Sequence, residues 1–197
     1  MTTDEMFRLR EMHLAPYIQL ATVLIGKTRE GGGNMFRHQI DTLGILIDYG
    51  YIDSVLLKAS TVHDVLEDIP DFNHNLFFSI DYEGHLVYEL VREVTKKQEE
   101  TKPEFLTRIL KTGSHNAKIL KVADRIANMI SLGFVNKMEF VDRYTKETIS
   151  YIFPIAEDVD KSMLTELQSL AASRHKFVVE FSKFKREGID IDSIAFL

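Results

Sequence analysis

The 197-residue chain contains no cysteine, which excludes disulfide frameworks, cysteine-ligated zinc, iron–sulfur clusters and thiol catalysis. Any metal would have to be bound by His, Asp, Glu and other oxygen ligands. With only four prolines and ten glycines, the chain is neither collagen-like nor loop-dominated. It also lacks the turn every eight to twelve residues that an all-β chain needs. No run approaches the roughly 18 apolar residues of a membrane-spanning helix. The charged N-terminus, MTTDEMFRLREMH, has no apolar signal-peptide core, so a cytoplasmic protein is the expectation. The 24 Lys and Arg are outnumbered by 30 Asp and Glu, giving a net charge of −6, which disfavours non-specific nucleic-acid binding. A small anionic ligand is still allowed, because a local basic cluster or a metal can override the global sign. What is abundant is apolar material, at 45%, enough for a core.

The pattern reads as helix after helix. Residues 4–25 are helical with a break at Pro16, and KTREGGGN (27–34) is a loop without the Gly-Lys-Ser/Thr of a phosphate loop. A second helix spans 35–49 with a stripe of Phe36, Ile40, Leu43 and Ile47, and Gly50 ends it. A third, capped by Asp53 or Ser54, runs to about Asp68 before Pro70. Residues 71–80 are ambiguous. Helices are expected at 82–96, from Pro103 to about Lys111, at 115–132 behind a Ser114 cap, at 137–157 and at 161–187, with Gly188 after the last. The 115–132 segment is apolar almost all round and should be central. No linker or repeat divides the chain. The expectation is one all-α domain over 1–197, its core at about 20–160 and a C-terminal helix at about 161–187.

Polar residues interrupt these apolar helices. The third helix ends in HDVLED, where His63 and Glu67, and Asp64 and Asp68, are spaced to share a helix face. Carboxylates so close repel one another unless a cation sits among them. Asp124 stands in the most apolar helix with Asn128 one turn later, and His38 lies one turn from Thr42. Each has an ordinary explanation: a hydrogen-bonded core His, an acidic helix end, an Asp paired with Arg125 or a Lys. Together, His38, His63, Asp64 and Asp124 form an H…HD…D series on three helices expected to pack together. Two imidazoles and two carboxylates suit a mid-series divalent metal such as manganese, iron or zinc.

With these residues the chain resembles the HD-domain superfamily of metal-dependent phosphohydrolases. More narrowly it resembles the hydrolase domain of the RelA/SpoT family, in the short form with hydrolase alone. HDVLED (63–68) is similar to that family's His-Asp followed by Glu-Asp, and VREVTKK (91–97) to its VxxVTK stretch. KVADRIANM (121–129) resembles KLADRLHNM. YTKETISYIFPIAE (144–157) resembles the ETLxIYxPLA helix, with Pro154 inside it.

The resemblance implies an HD-domain helical bundle that removes the 3′-pyrophosphate of guanosine tetra- and pentaphosphate alarmones, (p)ppGpp, with a metal-activated water. It implies Mn2+ bound by His38, His63, Asp64 and Asp124, a catalytic acidic pair Glu67 and Asp68, and substrate contacts from Arg29 and Asn128. Lys27 is a further substrate-binding candidate, and Lys121 or Arg125 could screen pyrophosphate charge. Two places depart from the family pattern: His38-Gln39 replaces His-Pro, and the loop from Arg29 to Met35 differs from Arg-Lys-x-Gly-x-Pro-Tyr. Alternatives therefore stay open: an HD hydrolase of another phosphorylated nucleotide (an NADPH phosphatase, nucleotidase or cyclic-nucleotide phosphodiesterase), or a non-catalytic nucleotide-binding regulator. A dinuclear variant would recruit His74 or His85, whereas His13, His115 and His175 lie outside the pattern. The expected partner is a small-molecule nucleotide, with no nucleic acid and no membrane. Phe177, Phe181 and Phe184 are read as core or a homo-oligomer contact.

Overall fold

The structure, a computed structural model, describes residues 2–186. The expected end of the last helix at 187 and Gly188 lie outside the described residues, as does the side chain of Phe184.

Helix α1 (Thr3–Glu11) opens with a Thr2–Glu5 capping box and buries none of its residues. Helix α2 (Ala15–Ala21) carries Pro16 in its first turn, where the missing N–H costs nothing. The break expected at Pro16 therefore falls just before it. A 3-10 turn (Thr22–Leu24) leads into the glycine loop, which a Thr28–Asn34 bridge closes. Gly32 and Gly33 have φ of +83° and +72°, conformations that favour glycine. Asn34 caps α3 (Met35–Asp48), and Gly50, at φ +78°, follows its end. The buried face of α3 is not the Phe36–Ile40–Leu43–Ile47 stripe. It runs through His38, Gln39, Thr42, Leu43 and Leu46, so polar side chains point inward.

Asp53 caps α4 (Ser54–Ser60), which stops well short of Asp68. The hydroxyls of Ser60 and Thr61 donate back to the carbonyls of Leu57 and Lys58, both at 2.8 Å, and His63 Nδ1 lies 2.8 Å from the Ser60 carbonyl. Side chains thus take carbonyls that a continuing helix would use. A turn at 61–64 separates α4 from the short α5 (Val65–Asp68). Next come α6 (Asn75–Phe78), α7 (Gly84–Val94) and α8 (Lys102–Thr112), the last with a Thr101–Glu104 capping box and Pro103 in its first turn.

Ser114 caps α9 (His115–Ser131), which is buried on nearly every side and packs against α3, α4, α7, α8, α11 and α12. A 3-10 turn (Leu132–Phe134) and α10 (Met138–Glu147) follow. A π turn (Thr148–Ile152) then precedes α11 (Phe153–Val159). Pro154 cannot donate to the i−4 carbonyl and its ring crowds that group, so a wider turn just upstream accommodates it. The chain closes with α12 (Lys161–Arg186). One apolar cluster extends from Tyr17 to Ala171, with Phe177 and Phe181 packed against its edge. There is no strand, and no helix long and apolar enough to cross a membrane, among the described residues.

Candidate active site

Three elements converge on one buried point. Helix α3 contributes His38, the turn after α4 contributes His63 and Asp64, and α9 contributes Asp124. His38, His63 and Asp124 are 1%, 3% and 5% exposed, so each must find its partners inside the protein. His38 Nε2 lies 3.0 Å from Asp124 Oδ1 and 3.6 Å from Asp64 Oδ2. His63 Nε2 lies 3.2 Å from Asp64 Oδ2 and 3.9 Å from Asp124 Oδ1. The donor atoms of His38, His63 and Asp124 all fall within 4.8 Å of one another, the one such group among the described residues. Asp64 stands outside that set while facing both imidazoles.

The tautomer of His63 is fixed by its surroundings. The Ser60 carbonyl can only accept, so Nδ1 must carry the hydrogen and donate to it. In the neutral ring, Nε2 then holds a bare lone pair toward two carboxylates, and it has no hydrogen-bond partner. Burial disfavours a charged ring, yet the Asp64 and Asp124 carboxylates outweigh it and raise His63 to about 10. Against the same cost of burial, the imidazoles hold Asp64 below the usual carboxylate range, and Lys121 with both imidazoles does so for Asp124. The cluster therefore demands a positive charge between its nitrogens and oxygens. A mixed set of imidazoles and carboxylates, with a backbone carbonyl orienting one ring, fits a divalent metal.

Around this point a cleft of about 270 Å3 opens to the surface. Its acidic rim is Glu67, which is exposed; Asp68 is half-buried and outside the lining. Burial, joined by the charges of Asp64 and Glu67, raises the pKa of Asp68. The lining also holds basic residues. Lys121 is buried and donates to Asp124 Oδ2 at 2.6 Å. Arg125 lies across the Tyr144 ring at 4.1 Å and donates to Glu147 at 2.7 Å and to Thr148 at 3.0 Å.

Lys102, at the first position of α8, also lines the cleft and has no ion-pair partner among the described residues. Burial, and then the neighbouring Lys121 and Arg125 charges, lower its pKa. An anion entering the cleft would relieve that repulsion. Sequence reasoning left Lys102 unassigned between the helices expected at 82–96 and from Pro103, and missed it, together with Tyr144. The only signal was Pro103 opening a helix.

Asn128 and Arg29 meet in the same lining. Asn128 Nδ2 donates to Asp124, and its Oδ1 accepts from Arg29 Nη2 at 2.5 Å. Arg29 also reaches Ser131 Oγ at 3.5 Å. Lys27 is exposed and outside the cleft lining, though its charge acts on Asp68. His74 Nδ1 is 2.9 Å from the Tyr88 hydroxyl, and His85 stacks on Phe78 at 4.1 Å, so neither joins the cluster. His115 is the first residue of α9. A larger groove of about 650 Å3 between α3 and α9 shares Arg29, Gly31 and Ser131 with the cleft, but the buried cluster lies in the smaller one.

No family model matches this sequence, and no curated protein matches it. A solved structure carries the same fold. It is described as a metazoan ortholog of SpoT that hydrolyses ppGpp and plays a role in starvation responses. The likeness covers 81% of this chain and 96% of that one, with a TM-score of 0.69 and 23% identity. The all-α bundle expected from the sequence is thereby shown.

Proposed function

We propose that the chain is a metal-dependent phosphohydrolase that cleaves the 3′-pyrophosphate from (p)ppGpp. One observation carries this reading: the buried, unpartnered Nε2 of His63 aimed at Asp64 and Asp124, beside a cleft lined by both acidic and basic residues. The likeness in fold to a structure described as a ppGpp-hydrolysing protein supports the choice of nucleotide.

His38, His63 and Asp124, with Asp64 beside them, would hold the metal, for which we propose Mn2+. When bound, it supplies Lewis acidity, lowering the pKa of water and polarising a phosphoryl oxygen. Glu67, on the open rim, accepts the proton of the attacking water on its carboxylate. Asp68 stands outside the cleft lining and keeps its proton to higher pH than an exposed carboxyl; it is the acidic partner of Glu67 in this proposal. Lys102, Lys121 and Arg125 face the charge that develops on the phosphates, and burial of Lys121 and Arg125 strengthens such contacts. Arg29 and Asn128 meet the nucleoside. A setting in the cytoplasm and in the stringent response belongs to the same proposal.

The test is a hydrolysis assay with Mn2+ over ppGpp, NADPH and deoxynucleotides side by side. Pyrophosphate released from ppGpp is the expected result. None released, with phosphate freed from NADPH or a deoxynucleotide, would transfer the same chemistry to another nucleotide. Tight ppGpp binding without turnover would make the chain a regulator.

A further inference from the structure

Gln39 follows His38 on α3 and is fully buried, at 0% exposure. A buried primary amide is costly unless its donors and acceptor are used. Gln39 directs both ends of its amide at one residue. Its Nε2 donates to Asp64 Oδ2 at 2.8 Å, and its Oε1 accepts from the Asp64 backbone N–H at 3.4 Å. A longer contact of 3.4 Å runs from Nε2 to the Met35 carbonyl. The amide orientation follows from this pairing, since only the NH2 end can donate to a carboxylate.

Asp64 needs such a partner. It lies in the turn rather than in a helix, and although it precedes α5 its side chain makes no capping bond there. No capping bond to its own helix orients the carboxylate. The Oδ2 that accepts from Gln39 is the atom 3.2 Å from His63 Nε2 and 3.6 Å from His38 Nε2. With one lone pair engaged by the amide, the oxygen keeps the other toward the imidazoles.

The geometry points to Gln39 as a positioning residue that holds Asp64 in the cluster and so sets the affinity of the chain for its divalent metal. This rests on the metal reading above and extends it from the donors to the group that aims one of them.

The test is calorimetric titration of the full chain with Mn2+ alone, next to thermal melting of the metal-free forms. Gln39→Met keeps the volume and removes the amide; Gln39→Asn keeps an amide that is one methylene too short to reach. Leu43→Ala, one turn along α3, is the control for a general loss of stability. We expect both Gln39 variants to bind Mn2+ about 10- to 100-fold more weakly, the range for partners of metal ligands. Leu43→Ala should melt lower and bind Mn2+ as the unmodified chain does.

Unchanged affinity in both folded Gln39 variants overturns the inference, as does an equal loss in Leu43→Ala. Failure of both Gln39 variants to fold also overturns it, because the amide would then serve the fold first. An unmodified chain that takes up no Mn2+ removes the metal reading itself, an outcome separate from these.

Discussion

At the scale of residues, the site divides into groups that hold a charge and groups that use it. Asp124 accepts from Lys121 and Asn128 and faces both imidazoles, so its removal should collapse the cluster. Asp124→Ala is expected to abolish Mn2+ uptake in calorimetry and turnover together. Glu67→Gln should leave Mn2+ binding intact and lower kcat by about 10²- to 10⁴-fold, the usual range for a general base. Lys102→Ala tests the basic lining: losing one charge-assisted contact should raise KM for ppGpp roughly tenfold or more, with Mn2+ affinity unchanged. The metal-ligand candidates were legible because carboxylates and imidazoles stand out against apolar helices. Gln39 was legible only as a departure from a familiar His-Pro pair, since nothing in one dimension shows that its amide ends at Asp64.

At the scale of elements, caps explain where helices begin and hydroxyls explain where one stops. Asn34, Asp53, Thr101 and Ser114 each accept from a first-turn N–H, and each marks a helix start that short-range chemistry dictates. Thr101→Ala breaks the capping box of α8 and should cost about 1 kcal/mol in urea unfolding. It should also loosen Lys102, raising KM without touching Mn2+ affinity. The end of α4 was misread because the apolar periodicity of Val55, Ala59, Val62 and Leu66 continues through the turn. Periodicity reports burial, and both the helix and the turn are buried; the back-bonded Ser60 and Thr61 decide the geometry. The break matters, because in a straight helix His63 and Asp64 would point about 100° apart around the axis. In the turn, both meet the same cluster.

At the scale of the whole molecule, two polar networks tie the bundle together, the first of them around a buried lysine. Lys58, 3% exposed, donates to Asp81 at 2.7 Å and Glu83 at 2.5 Å, while Tyr17 donates to Asp81 at 2.8 Å. This joins α2 and α4 to the N-terminus of α7. Lys58→Ala strands two carboxylates and should cost about 3–5 kcal/mol in denaturant unfolding. The second network is Arg108, which donates to both Glu100 oxygens and to the carbonyls of Glu93 and Thr95 at the end of α7. The Arg108 hydrogen bonds lower Glu100 from 4.5 to about 2. A carboxylate depressed in the folded state stabilises fully above its unfolded pKa, and that contribution is lost as pH falls through the folded value. Stability from Glu100 should therefore fade between about pH 4.5 and 2, and Glu100→Gln should flatten the melting temperature over that window.

The sequence by itself determined the helical class, most of the helix starts and the chemical character of the site, because capping, proline placement and apolar periodicity are short-range. Only the tertiary structure decided that α4 breaks before the His-Asp pair, that Gln39 meets Asp64, that Lys102 lines the cleft and that Lys27 does not. Those outcomes depend on which helices pack together, and burial between helices distant in the chain turns an ordinary polar residue into part of a site.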